Sequence, residues 1–212
     1  MTIRIRVGDE LTLGNKKIPG TAEMVEAYRE QVQKFGFTAK GLFYPDEELH
    51  SAKITQYATL AHRLWHGRPS VLDAGCGYGS LLPFLPPCTY TGIDVVPELV
   101  DEARRRYPGQ HFEVRDIYMH AEVNDWVLLV GMSGTIPEPE SLVAQAWKLT
   151  RVGLIVDFID GDRYSGTLNR YDMGSCLRFL VALGCSRIET LAAHGYTWAI
   201  MIAWKEGIWQ FG

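Results

Sequence analysis

Cysteine is scarce and poorly placed for chemistry of its own. Cys76, Cys88, Cys176 and Cys185 are the four in 212 residues, and no two of them stand in C-x-x-C spacing. A disulfide scaffold and a cysteine-framed metal site are therefore not expected, and small buried thiols in a reducing, cytoplasmic compartment are. The six histidines suggest no metal-ligand cluster. Long apolar runs are also missing: the longest near the C-terminus, Trp198–Trp204, has seven residues, far short of a membrane span. Met1–Asp9 carries arginines in an alternating pattern rather than an apolar stretch, so no export leader is expected. Positive charge is not in excess, with 21 Lys and Arg against 25 Asp and Glu, and the net charge of -4 gives no electrostatic case for nucleic acid as partner. The one tight basic run, Arg104-Arg105-Arg106, closes an expected helix, where cations suit the negative end of the helix dipole and face solvent.

What the chain does have is glycine where a strand should stop. Val71-Leu72-Asp73-Ala74 is a short apolar strand with an acid in it, followed by Gly75, Gly77 and Gly79 at alternate positions. A second apolar stretch, Thr91-Gly92-Ile93, ends in a second acid, Asp94. Bare backbone at the end of a strand lets a ligand lie where any Cβ would hold it off. An acid after the next strand is placed to accept hydrogen bonds from ribose hydroxyls. A dinucleotide fingerprint would read G-x-G-x-x-G with a diphosphate on the following helix N-terminus. Here the third glycine of that pattern falls on Ser80, and Asp73 would set a carboxylate beside the diphosphate. A nucleoside with an amine and no phosphate fits better.

The pattern D-x-G-x-G-x-G resembles the first motif of class I S-adenosylmethionine-dependent methyltransferases, and the resemblance runs from Val71 to about Phe158. It implies S-adenosylmethionine as cofactor, with S-adenosylhomocysteine as product. By the same resemblance Gly75 and Gly77 meet the methionine part, and Asp73 lies near its ammonium. Asp94 holds the ribose and Val95 packs on adenine. Asp116 and Ile117, after the third strand, take the adenine amino group and ring, and Gly131 after the fourth lets the methionine end come close. Each has a structural alternative: Asp73 can cap a turn, Asp94 the helix starting at Pro97, Asp116 a loop, and Gly131 can be a turn glycine. Cys76 is expected to point into packing. No catalytic residue is assigned; His120, Asp157 and His194 are the candidates for a general base at the pocket mouth. The N/D-P-P-Y/F motif of base and glutamine amino-methylating enzymes is missing after the fourth strand, where Val130-Gly131-Met132-Ser133-Gly134 stands. A small-molecule acceptor is therefore favoured. Three other readings stay open: an NAD(P)-dependent oxidoreductase, a non-catalytic binding module, and aminopropyl transfer from a decarboxylated donor.

The expected fold is α/β and Rossmann-like, a seven-stranded methyltransferase sheet of five parallel strands plus a C-terminal antiparallel hairpin, with helices on both faces. The strands are placed at Ser70–Ala74, Thr89–Ile93, His111–Arg115, Trp126–Val130 and Val152–Phe158, then Arg187–Ala193 and Thr197–Trp204 about a turn at His194-Gly195-Tyr196. Helices are expected at Gly79–Leu85, Pro97–Tyr107, Glu138–Leu149 and Asp172–Leu183. Residues 1–69 form an N-terminal hairpin (Thr2–Val7, Leu11–Leu13) and two helices within the same domain, and 70–212 the cofactor-binding core. One helix is capped by Thr21, with Met24, Val25, Tyr28, Val32 and Phe35 inward. The other is capped by Asp46, with Ile54, Tyr57, Leu60, Ala61 and Trp65 inward. The aromatic loop Phe37–Tyr44 between them is a candidate lid. A hairpin edge free to pair makes a homodimer an open expectation.

Overall fold

The computed structural model describes residues 21–134, 139–160, 171–192 and 198–205. Seven strands form one sheet: β1 Ser70–Ala74, β2 Thr89–Asp94, β3 His111–Val114, β4 Asn124–Leu129, β5 Thr150–Ile159, β6 Arg187–Ala192 and β7 Trp198–Trp204, in the order β3-β2-β1-β4-β5-β7-β6. Strands β1 to β5 pair in parallel, while β7 is antiparallel to both β5 and β6. Strand order reverses between β1 and β4, and the carboxyl ends on either side of such a reversal open a crevice for ligand.

Alternation along the central strands supplies apolar side chains to both faces, as a sheet covered on both sides requires. Leu72, Val127, Leu129, Leu154 and Val156 face helices α4 (Pro139–Lys148) and α5 (Met173–Ala182). Val71, Trp126, Leu128, Ile155, Ile200 and Ile202 face α2 (Glu47–Leu64), which brings Ile54, Tyr57, Leu60 and Ala61. Gly153 is small for a reason: a Cβ there would come within 2.4 Å of the Trp126 ring. The N-terminal helix α1 (Thr21–Phe35) ends at Gly36, whose φ of +69° suits glycine and whose N–H donates to the Val32 carbonyl at 2.8 Å. Asp46 caps α2 as expected, its carboxylate accepting from the Leu49 N–H at 2.8 Å.

One expected helix is not formed. In place of Gly79–Leu85 the chain makes only a 3-10 turn at Leu82–Phe84. Gly75, Gly77 and Gly79 all hold positive φ, which keeps the chain out of the helical region until residue 80. Pro86 and Pro87 then stop it. The helix α3 (Pro97–Arg106) and the strands lie within two residues of their expected ends. The hairpin at residues 2–13, the turn at 194–196 and most of the polar stretch from Asp160 lie outside the described residues. The arginine run faces solvent as expected, while also making contacts back to the helix. Arg105 and Arg106 pair with buried Glu102, and Arg106 lies over the Tyr78 ring at 4.3 Å. Those guanidiniums hold the Glu102 carboxyl down at about 2.

Candidate functional site

A cavity of about 500 Å³ opens at the carboxyl ends of β1, β2, β3 and β4. Its wall includes Asp73, Gly75, Gly77, Asp94, Val95, Asp116, Ile117 and Gly131, so all eight sequence-assigned positions converge on one space.

The glycine loop is held from within. Gly75 and Cys76 donate their N–H groups to the Ile93 carbonyl at 2.8 and 3.0 Å, and Gly79 donates to the Cys76 carbonyl at 2.9 Å. The Gly77 N–H donates to Asp94 Oδ2 at 2.9 Å, while Asp94 Oδ1 accepts from the Val96 N–H at 2.9 Å. Asp94 therefore ties the loop to the start of α3 as well as facing the cavity. Burial raises its pKa, and these backbone donors oppose the rise. Four of its amides are thus engaged and no α-helix follows, so the loop offers a phosphate fewer N–H groups and no α-helix N-terminus.

Asp73 is in the opposite condition. Its Oδ2 accepts from the Tyr90 hydroxyl at 2.7 Å, but Oδ1 is buried with no partner. Burial pushes its carboxyl up to about 7, the Tyr90 hydrogen bond pulls the other way, and the charge of Asp94 adds to the rise. A buried carboxylate oxygen left unpaired is costly, and a cationic donor is what it lacks. Asp116 accepts from the Tyr118 N–H at 3.0 Å and so caps the short 3-10 turn that carries Ile117.

Gly131 has a φ of +70°, and a Cβ on it would sit 2.6 Å from the Tyr44 hydroxyl. The group that approaches it here is thus an aromatic side chain from the loop before α2. Leu42, from the same loop, lies against Gly77, where a Cβ would be 3.4 Å away. The expected aromatic loop does wall the cavity, through Leu42 and Tyr44.

Of the three candidate bases, the two that are described, Asp157 and His120, do not stand in the cavity wall. Asp157 is 1% exposed, its Oδ2 2.6 Å from Lys53 Nζ and its Oδ1 accepting from the Gly131 N–H and, at 2.9 Å, the Tyr57 hydroxyl. It serves as a tie between α2 and the β4 end. His120 is buried outside the wall, and burial lowers its pKa. His194 lies outside the described residues. Cys76 is buried with Tyr90 and Phe112, and burial raises its thiol pKa well above the usual range.

Among the described residues, the histidine that lines the cavity is His50, on the first turns of α2. Its Nε2 is 3.2 Å from Ser80 Oγ, its Nδ1 3.9 Å from Glu47 Oε2, and its ring 4.7 Å from that of Tyr44. Sequence reasoning missed His50 and Lys53, both polar residues on the inward side of an amphipathic helix. The signal was the i, i+4, i+7 spacing of His50, Ile54 and Tyr57, which puts the histidine on the same stripe as two core residues. Among the described residues no three His, Cys, Asp or Glu side chains gather to hold a metal, and His62 and His66, four apart in sequence, form no such group. None of the described helices is long and apolar enough to cross a membrane.

Residues 72–156 match the family model described as a methyltransferase domain. The matched segment is about two fifths of the chain and takes in the glycine loop and most of β1 to β5. A provisionally named methyltransferase of Mycobacterium tuberculosis is 49% identical over 45 residues, which are 19% of this chain and 27% of that relative. The chain thus matches about a quarter of the length of its curated relative. Among solved structures, the domain's fold is shared by magnesium protoporphyrin IX methyltransferase from Synechocystis, crystallised with S-adenosylmethionine. That enzyme has a TM-score of 0.70 at 19% identity, over 86% of this chain and 97% of the other. The N-methyltransferase NodS of Bradyrhizobium japonicum, in complex with S-adenosylhomocysteine, has a TM-score of 0.66 at 13% identity, over 87% and 99%. At these identities the likeness is one of fold.

Proposed function

We propose that the chain is an S-adenosylmethionine-dependent methyltransferase acting on a small molecule. The observation that carries the reading is Asp73, a buried carboxylate missing a donor, set beside a glycine loop with four of its amides already engaged elsewhere. A diphosphate would find four of the loop amides taken and would meet a carboxylate; an ammonium would find the partner it needs. S-adenosylmethionine, when bound, supplies a methyl group on positive sulfur that needs alignment more than activation.

The residues present fit that donor. Asp73 would take the ammonium on Oδ1, and Asp94 would accept from ribose hydroxyls with the lone pairs its backbone partners leave unused. Val95 and Ile117 supply apolar surface for the adenine, with Asp116 beside it. Gly75 and Gly77 keep the loop free of side-chain bulk. Met24, Tyr28, Leu42, Tyr44 and Met132 give the remaining wall an apolar and aromatic character suited to a small organic acceptor and to excluding water. Residues 1–69 would thus provide the acceptor side and 70–212 the donor side of one domain.

Titration calorimetry tests the donor assignment. S-adenosylhomocysteine should bind with measurable heat while NAD and NADP give none. Binding of either dinucleotide, with none of S-adenosylhomocysteine, would overturn it.

A further inference from the structure

The donor assigned above is a zwitterion, and its ammonium and carboxylate share one carbon. A partner for the anion must therefore lie close to Asp73. In many glycine loops backbone amides would serve, but here the N–H groups of Gly75, Cys76, Gly77 and Gly79 are already donated. A side chain beside the loop can supply the charge-assisted contact that these four amides cannot. Arg115 lines the cavity beside Asp116, on the far side of Asp94 from the glycine loop, and is bonded to Glu113 and the Met119 carbonyl. Lys53 is bound to Asp157. What remains next to the loop is Ser80, which follows it directly, and His50, whose Nε2 lies 3.2 Å from Ser80 Oγ.

We propose that His50 and Ser80 receive the α-carboxylate of the donor's amino-acid end, and that His50 takes up a proton from solvent when they do. The surroundings are built for both states. Without ligand the ring is buried against Tyr44 and close to Tyr78, and that burial, reinforced by the charge of Lys53, lowers its pKa and keeps it neutral. Glu47 opposes this from Nδ1 at 3.9 Å, and is itself fixed by the Ala39 N–H on Oε1 at 2.8 Å. A proton on Nδ1 leaves Nε2 to accept from Ser80. When a carboxylate arrives, Nε2 gains a proton, the Ser80 hydroxyl turns to donate to the anion, and Glu47 faces the imidazolium. Asp73 and Asp94, both raised by burial, also face the cavity; an ammonium beside Asp73 favours loss of its proton, opposite in sign to the change at His50, and the ribose beside Asp94 is common to both ligands compared below.

The inference rests on the donor reading, and the experiment separates the two. Calorimetry at about pH 8, where Asp73 is already mostly ionised and His50 neutral, is run in phosphate and in Tris, whose ionisation heats differ. The ligands are S-adenosylhomocysteine and 5′-methylthioadenosine, which lacks the amino acid. Wild type should take up protons with the first ligand and not the second. His50→Gln should abolish that uptake and weaken S-adenosylhomocysteine about tenfold, the scale of one charge-assisted hydrogen bond, while 5′-methylthioadenosine stays within about twofold. Ser80→Ala should weaken the first ligand alone. Equal losses for both ligands, or wild-type binding without proton uptake, would overturn the assignment. Failure of wild type to bind S-adenosylhomocysteine at all would instead remove the donor reading beneath it.

Discussion

Asp73→Asn should make the empty protein more stable and the site worse. Burial lifts the Asp73 carboxyl from its ordinary 3.8 to about 7. That gap is worth about 4 kcal/mol in favour of the protonated form when the chain is folded. The sign follows from where the proton sits. The folded protein keeps it up to about pH 7, whereas the unfolded chain releases it near 3.8. Stability lent by the proton is complete below the lower value and is lost as pH rises through the upper one. Asparagine does not titrate and still offers an oxygen to the Tyr90 hydroxyl. Between about pH 5 and 8 the wild type should therefore lose about 2–3 kcal/mol relative to the variant. Urea unfolding at several pH values measures this difference directly. Saturating S-adenosylhomocysteine should erase most of the wild-type slope, because an ammonium at Oδ1 favours the ionised carboxylate, and the variant should bind the ligand at least tenfold more weakly. Parallel pH profiles for the two proteins would refute the account of Asp73, as would equal affinity for the ligand.

Asp94→Ala should do two kinds of damage, since it leaves the Gly77 and Val96 N–H groups without acceptors besides removing the proposed ribose contact. Donor affinity should fall by about 1.5–3 kcal/mol; unchanged affinity by calorimetry would displace the ribose assignment. Lys53→Met strands Asp157, which is 1% exposed, and should cost about 3–5 kcal/mol in urea unfolding. A loss under about 1 kcal/mol would mean the pair contributes little to joining α2 to the sheet.

Most of the sheet could be read from the chain because each strand is short, apolar and bounded by turn residues, and because parallel strands buried on both faces carry that signature at every position. The convergence of Asp73, Asp94, Asp116 and Gly131 was legible for the same reason: each lies in the last two residues of a strand or just after one, and the strand's place in the sheet is set by the crossovers. The false helix at Gly79–Leu85 shows the limit. Its apolar content satisfied the pattern, but backbone torsions at three glycines, together with Pro86 and Pro87, outweighed it. His50 escaped for a different reason. Its chemistry comes from Ser80, 30 positions away, and from Tyr44 and Glu47, which meet it only once α2 is laid against the glycine loop. Asp157 was noticed, but nothing local in sequence reveals that Lys53 neutralises it from 104 residues away.

Helix α2 covers the β1, β4, β5 and β7 part of one face of the sheet with Ile54, Tyr57, Leu60 and Ala61, and its leading turns reach the ligand space through His50 and Ile54. The same rod is thus roof to the hydrophobic interior and doorpost to the crevice. Variation that retunes ligand choice can act freely only over those leading turns, because further along every inward position is answerable to the sheet beneath. A shortened chain beginning at β1 would retain all seven strands yet present Trp126, Leu128, Ile155, Ile200 and Ile202 to water, and would be expected to aggregate before any question of catalysis arose.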